Sequence, residues 1–267
     1  MEFKEIENRY WNNHYRSAAA DYRPGRGLPY HRHFKDILLA LKPGARVLEE
    51  ACGVRCDGIE LALAGITVYE TDIAEIAVEK ARELYQKMGL EQYGVFEKCD
   101  AENLPYADDY FDGCFIAASF HHLPDQGKAL AEMARVTKKG GLIILALEPA
   151  AWPYATVYRW LSPLKRIIRK KGDRKIFSIA DDSTEGFTKK QLLALCRQAD
   201  LEVVKVYREK YLSELYDSGL RLISKLTKKK INPGDFWQKL FSSADLIIAK
   251  IPLLNLLNWH WTIICKK

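Results

Sequence analysis

Acidic and imidazole side chains fall at the ends of four short apolar runs, and that recurrence is the first sign of chemistry. The run "VLEEACGVRCDG" (47–58) passes through Gly53 before a helical stretch opens at Asp57. In a strand–turn–helix unit the amides of residues 53–58 lie at a helix N-terminus and favour an anionic group. Gly53 permits close backbone approach, and Asp57 is suited to cap the helix. An ordinary tight turn would read the same way. The second run, "TVYETD", ends in Asp72, 21 residues after Ala51. A carboxylate there can accept both hydroxyls of a ribose, or equally cap the helix starting at Ile73. The third run closes on Asp100-Ala101-Glu102, acids able to accept from an exocyclic amine. The fourth ends in "SFHHLPD" (119–125), which puts Ser119, His121 and His122 at a strand tip.

The elements that must position these groups alternate regularly. Strands are expected at 45–51, 67–72, 93–100, 111–119 and 141–149, with helices at 57–64, 73–88 and 125–136 between them. A short helix at 35–42 ends at Pro43-Gly44. Short apolar strands alternating with helices imply right-handed crossovers and a parallel sheet covered on both faces. In such a sheet, ligands bind beyond the carboxyl ends of the strands, where strand order reverses. All four signals fall at those ends. Beyond residue 150 the pattern changes to basic helical sequence over 153–171. A helix at 188–199, a strand at 201–209, further helix over 210–248 and a closing strand at 260–267 follow.

Composition sets the outer bounds. The chain has 267 residues, 48% of them hydrophobic, enough for one elaborated domain with a full core. Six scattered cysteines within apolar runs fit reduced thiols in a cytoplasmic protein, and no spacing completes a metal set. The residues after Met1 form no apolar signal segment, and the apolar tail 246–265 is too interrupted to span a bilayer. The net charge of +6 hides an asymmetry. Residues 1–150 hold 18 Lys and Arg against 24 Asp and Glu, whereas residues 151–267 hold 23 against 11.

The order and spacing of these pieces resemble the class I S-adenosylmethionine-dependent methyltransferases, in particular the small-molecule "methyltransferase type 11" group. The matching stretches are "VLEEACGVRCDGIELA", "VYETDIAEIAVEKAR", "CDAENLPYADDYFDGCFIAASFHHLPD" and "LAEMARVTKKGGLIILALEP", with "EGFTKKQLLALCRQADLEVVKV" (185–206) continuing the likeness. The resemblance implies a doubly wound, mostly parallel seven-stranded α/β sheet with a helical cap from the segments after strands five and six. It divides the chain into an N-terminal lid (1–44), a cofactor-binding core (45–150) and a C-terminal completion with basic cap insertions (151–267).

It also implies S-adenosylmethionine as cofactor and S-adenosylhomocysteine as product. Glu49 and the turn Ala51-Cys52-Gly53 would hold the methionine end. Asp72, with Ile73 beside it, would take the ribose hydroxyls. Asp100, Ala101 and Glu102 would bracket the adenine, and Ser119 to His122 would line the sulfonium and acceptor site.

The cofactor loop departs from the family's GlyCysGlyThrGly. Ala51 replaces the first glycine, one methyl more, which a negative φ tolerates. Arg55 replaces the third, and its stem can turn to solvent or pair with the cofactor carboxylate. A dinucleotide fingerprint would need glycines at 51, 53 and 56, and the chain has Ala51 and Cys56, which argues against NAD.

Methyl transfer is an in-line displacement in which positioning supplies most of the acceleration. Where the acceptor must lose a proton, His121 and His122 are the candidate bases, since imidazole titrates near neutrality. Tyr10, His14 and Tyr15 could fold over the cofactor as a lid, or simply pack on the sheet. The cap segments 158–175 and 220–230 interleave Lys and Arg with Leu and Trp, the look of helices on an anionic membrane surface. The expected acceptor is a small molecule, hydrophobic or lipid-like, in a cytoplasmic protein able to touch the membrane through those segments. No nucleic-acid module is recognisable. The competing expectation is a non-catalytic member of the fold, kept as a binding or scaffolding module.

Overall fold

The computed structural model describes residues 3–18, 29–153, 155–156, 185–227 and 235–267. The alternation expected from the sequence runs through β1 (Arg46–Glu50), α3 (Ile59–Leu63), β2 (Thr67–Asp72), α4 (Glu75–Met88) and β3 (Gly94–Lys98). It continues through β4 (Phe111–Ala117), α5 (Gln126–Val136), β5 (Thr137–Pro149), α6 (Lys189–Gln198) and β6 (Glu202–Glu209), and closes with β7 (His260–Lys266). Seven strands form one sheet in the order β3-β2-β1-β4-β5-β7-β6. Only β7 runs antiparallel to its neighbours. The order reverses between β1 and β4, so the switch point lies where the four signals converge.

Local chemistry explains the boundaries. α4 stops where Gly89 adopts a left-handed φ of 67°. α5 is capped by Asp125, which accepts from the Lys128 amide, and α6 by a reciprocal Thr188–Gln191 box. β5 starts at Thr137 rather than the expected 141, because Thr137 already pairs with Phe111 before the register shift. Helix α2 spans Pro29–Leu39, earlier than the expected 35–42, with Pro29 as its first residue.

Two apolar layers hold the sheet. One face packs Leu48, Ile116 and Ile143 against α5 and α6, and the other packs Val47, Phe115 and Ile144 against α2 and α3. All six cysteines are buried and free. Cys196 and Cys265 approach to 3.5 Å between sulfurs without a bond.

Two segments bear on the site from outside this core. The N-terminal residues, expected as a lid or helical segment, form helix α1 (Phe3–Arg16). After β6 come α7 (Leu212–Thr227) and α8 (Asp235–Ile248), helices of the segment expected to form a cap. The other expected cap segment, 158–175, lies outside the described residues, as do 228–230 of the second basic run.

Candidate active site

The carboxyl ends of β1 to β4 open on a cleft of ≈ 370 Å³, within the range of small-molecule sites. Its floor is the loop after β1. Ala51, Gly53 and Cys56 all carry positive φ, at 52°, 56° and 47°. This succession of left-handed turns brings the chain back beneath itself. Glu49, almost fully buried, accepts from the amides of Asp57 (3.1 Å) and Gly58 (2.7 Å) and so fixes the start of α3. Gly58 is required here, because a Cβ would stand 2.7 Å from Glu70 Oε1 and 3.0 Å from Glu49 Oε2. Glu70 accepts from the Tyr85 hydroxyl at 2.6 Å, and burial pushes its carboxyl up to about 7. Lys35 offsets this buried acidity through Asp57 at 2.8 Å.

Asp72 sits at the tip of β2. Its two oxygens accept from Gly53 N (3.0 Å) and Ala74 N (2.8 Å), which aim the carboxylate into the cleft. Burial pushes it up to about 6, against the pull of those amides. Asp100, at the end of β3, accepts from the Glu102 amide at 3.0 Å.

The roof is α1. Phe3, Glu7, Trp11 and Tyr15, four residues apart, make one helical face over the cleft. Lys4 reaches Asp100 at 2.6 Å and Glu102 at 2.8 Å. The Trp11 indole donates to Glu7 at 3.0 Å and meets the His122 ring edge-on. At the far end, the Tyr15 hydroxyl stands 3.0 Å from where a Cβ on Gly53 would lie, so the roof rests directly on the glycine.

The histidine pair divides. His121 turns away from the cleft: its Nδ1 lies 3.0 Å from Glu148, which also accepts from the amides of Ser119, Phe120 and His121. His122 lines the cleft. Burial, with His121 against it, pushes its imidazole down to about 3. Glu7 is 3.8 Å away, too far for a direct hydrogen bond.

Comparison with known proteins agrees with this architecture. Residues 48–145 match the family model described as a methyltransferase domain. That segment is similar to the methyltransferase domain of S-adenosylmethionine-dependent enzymes. Among curated proteins, the 27-O-demethylrifamycin SV methyltransferase of Amycolatopsis mediterranei is 36% identical over 109 residues, covering 40% of each chain. The ubiquinone/menaquinone biosynthesis C-methyltransferase UbiE of Bordetella parapertussis is 34% identical over 140 residues, 49% of this chain and 53% of that one. The chain thus spans two fifths to about half the length of these relatives. A solved methyltransferase from Methanosarcina mazei shares the fold at a TM-score of 0.57 and 19% identity, covering 87% of this chain and 96% of that one.

The cofactor that goes with this domain is S-adenosylmethionine, and the residues present suit it. A pinned, buried carboxylate at Asp72 offers lone pairs to hydroxyls, the Asp100 carboxylate can accept from an amine, and the Ala101 amide can donate to a ring nitrogen. Carboxylates from Glu7, Asp72 and Asp100 make the lining favourable to a cationic sulfonium. Arg55 is exposed at the rim of the cleft.

Several expected residues take other places. Ala51 has the positive φ that glycine, not alanine, tolerates, so the expected negative value does not occur. Glu49 borders the cleft, and its carboxylate also braces the loop through the amides of Asp57 and Gly58. Glu102 is held between Lys4 and the Asp125 amide, 2.9 Å away. Tyr10 stacks on His14 outside the lining, while His14 and Tyr15 reach it. Cys52, Gly53, Ile73, Asp100, Ala101 and Ser119 all border the cleft. The reading missed Lys4, Glu7, Trp11 and Glu148. The four-residue spacing of Phe3, Glu7, Trp11 and Tyr15 is the signal for Glu7 and Trp11.

Among the described residues no acidic, Cys or His cluster could hold a metal, and no helix is long and apolar enough to cross a membrane.

Proposed function

We propose that the chain transfers a methyl group to a hydrophobic small-molecule acceptor of quinone or polyketide type. When bound, S-adenosylmethionine supplies an electrophilic methyl group. Asp72 would take the ribose hydroxyls, Asp100 and the Ala101 amide the adenine edge, and the amides of the 51–55 turn the cofactor carboxylate. The single observation that carries this reading is Asp72, clamped by Gly53 and Ala74 with its remaining lone pairs toward the cleft.

The chain's own residues then position and exclude. Trp11 and Tyr15 close the roof and keep water from the reacting centre. His122, neutral across the working pH range, serves as a hydrogen-bond partner that orients an acceptor hydroxyl or enol. It is too weak a base to store the proton, because an efficient general base titrates near the operating pH. An acidic acceptor such as a phenol or hydroquinone needs no stronger base. The names of the relatives, one for a rifamycin and one for quinone biosynthesis, support that acceptor class.

A scaffolding role is the second reading, and two observations favour it: Ala51 is strained in the cofactor turn, and Lys4 sits on Asp100. Isothermal titration with S-adenosylhomocysteine separates the two. Micromolar binding that Asp72→Asn weakens at least tenfold upholds the methyltransferase reading, while no heat at millimolar ligand would leave only the scaffold.

A further inference from the structure

We propose that α8, the turn that follows it and the outer side of α7 form a docking surface for an anionic lipid bilayer. This inference stands on surface chemistry and does not depend on the methyl-transfer reading.

Large apolar side chains that are exposed cluster in one part of the molecule. Among the described residues all but two, Leu63 and Val204, lie between 212 and 257. Phe236 is 69% exposed and Ile247 65%, and Leu253 in the following turn reaches 78%. A soluble surface rarely gathers so much contiguous apolar area without a partner.

Helix α8 still has a well-made inner side. The Tyr216 and Phe241 rings pack at 4.8 Å and join α8 to α7. Asp245, 3% exposed, accepts from the amides of Tyr211 (3.1 Å) and Leu212 (2.7 Å) and from the Ser213 hydroxyl. It therefore caps the start of α7. The outward apolar face is thus not the mark of a helix lacking its core, because the core side is already occupied and hydrogen-bonded.

The charges decide what fits. Asp245 is the only carboxylate in residues 236–258, and it is turned inward. The exposed ionic groups of that stretch are Lys239 and Lys250, both cationic. Apolar residues that penetrate, flanked by lysines that stay at headgroup level, match an anionic lipid surface. A second copy fits less well, since the exposed charges of residues 236–258 are cationic on both copies. Leu253 adds a second kind of observation. It holds φ at 70°, where a branched side chain is strained, and the turn spends that strain on presenting the most exposed leucine of the region.

Topology makes the surface useful. β6 ends at Glu209 and β7 begins at His260, so the whole excursion leaves from and returns to the sheet edge that carries the cleft. Its return is tied to the end of β5 by Ala150 N donating to Trp259 O at 2.8 Å and by the Trp152 indole donating to Asn258 O. Docking would bring that edge to the bilayer, where an apolar acceptor could enter without crossing water.

The test is co-sedimentation of the full chain with phosphatidylcholine vesicles, with and without phosphatidylglycerol, at low and high salt. The expected result is binding to the anionic vesicles that salt weakens, with Ile247→Asp/Leu253→Asp reducing it about tenfold or more and Lys239→Gln/Lys250→Gln leaving weaker binding with less salt dependence. Both doubles alter exposed side chains, and unchanged thermal unfolding confirms that they fold. Wild-type protein left in the supernatant at low salt overturns the proposal, as does undiminished binding of Ile247→Asp/Leu253→Asp. A dimer in sedimentation velocity that the same double variant dissociates would assign the surface to a second copy instead. S-adenosylhomocysteine binding in solution, read on the same proteins, reports on the cleft separately.

Discussion

Glu49 and Glu50 are neighbours on one strand, both buried, and they live under opposite conditions. Glu49 points to the α3 side, where two amides meet its oxygens and Lys35 adds a cation nearby. Glu50 points to the α5 side, into a layer of Leu48, Cys114 and Ile116, and neither of its oxygens has a hydrogen-bond partner. Burial raises both carboxyls, but only the first is doing structural work. The lesson is that burial of an acid at this strand end is not itself a functional sign; the partner set is. By that measure Glu148 and Asp72 belong with Glu49, and Glu50 stands alone.

The strongest way to break this contrast is to delete a well-partnered acid. Glu148→Leu would strand three amides and the His121 ring nitrogen in a buried pocket. A loss of about 3–5 kcal/mol is expected on the scale of a broken buried network, read as the shift in urea midpoint. A loss under about 1 kcal/mol would mean that water replaces the carboxylate and that the partner set is not what matters.

Asp72 sharpens the contrast through function. Its carboxyl, raised to about 6 by burial, is ionised above that pH and neutral below it. A neutral Asp72 loses acceptor capacity, so affinity for S-adenosylhomocysteine should fall about tenfold between pH 7 and pH 5, and Asp72→Asn should flatten that profile. The fold responds in the opposite sense. A carboxyl raised above its unfolded value of about 4 is stabilising when protonated, so its contribution fades as pH rises from about 4 through about 6.

Glu50 should show the reverse of Glu148. Glu50→Leu removes an unpartnered polar group from an apolar layer at similar volume, and a gain of about 1–3 kcal/mol is expected near pH 7. The sign of its pH dependence is fixed by linkage. Burial raises this carboxyl in the folded protein while the unfolded chain ionises above about 4.3, so wild-type stability falls as pH rises past that value. The advantage of the leucine should therefore widen from pH 4 to pH 7. A destabilised variant would reveal a partner for Glu50 that the packing does not show.

Much of this was readable beforehand, and the failures have particular causes. Strands buried on both faces are bound to read as apolar runs, so β1, β2 and β4 stand within two residues of expectation. Asp72 was legible because a strand tip fixes which way its last residue looks. The split between His121 and His122 was not, because it is decided by Glu148, an acid 27 residues away in sequence. The bracing role of Glu49 was hidden for a similar reason: its targets, the amides of Asp57 and Gly58, face it only after three left-handed residues in the loop. The bounds of helix α1 were not legible, because the face it turns to the cleft is built from Glu7 and aromatic rings instead of aliphatic side chains.

The smallest expected effect concerns Ala51, which borders both kinds of environment. Its methyl packs against the layer that also surrounds Glu50, yet its φ of 52° is a conformation that costs a non-glycine residue about 1–2 kcal/mol. Replacement by glycine removes that cost and adds about 0.4–1 kcal/mol of unfolded-state entropy in the other direction. The balance predicts that Ala51→Gly stabilises the protein by about 0.5–1 kcal/mol, visible as a higher urea midpoint with an unchanged slope. If the loop already holds the geometry a cofactor needs, S-adenosylhomocysteine affinity should stay within about twofold, because the glycine would keep the left-handed turn. A large gain in affinity would instead show that the methyl obstructs the cleft, and would place this loop among the strained elements of the molecule rather than the prepared ones.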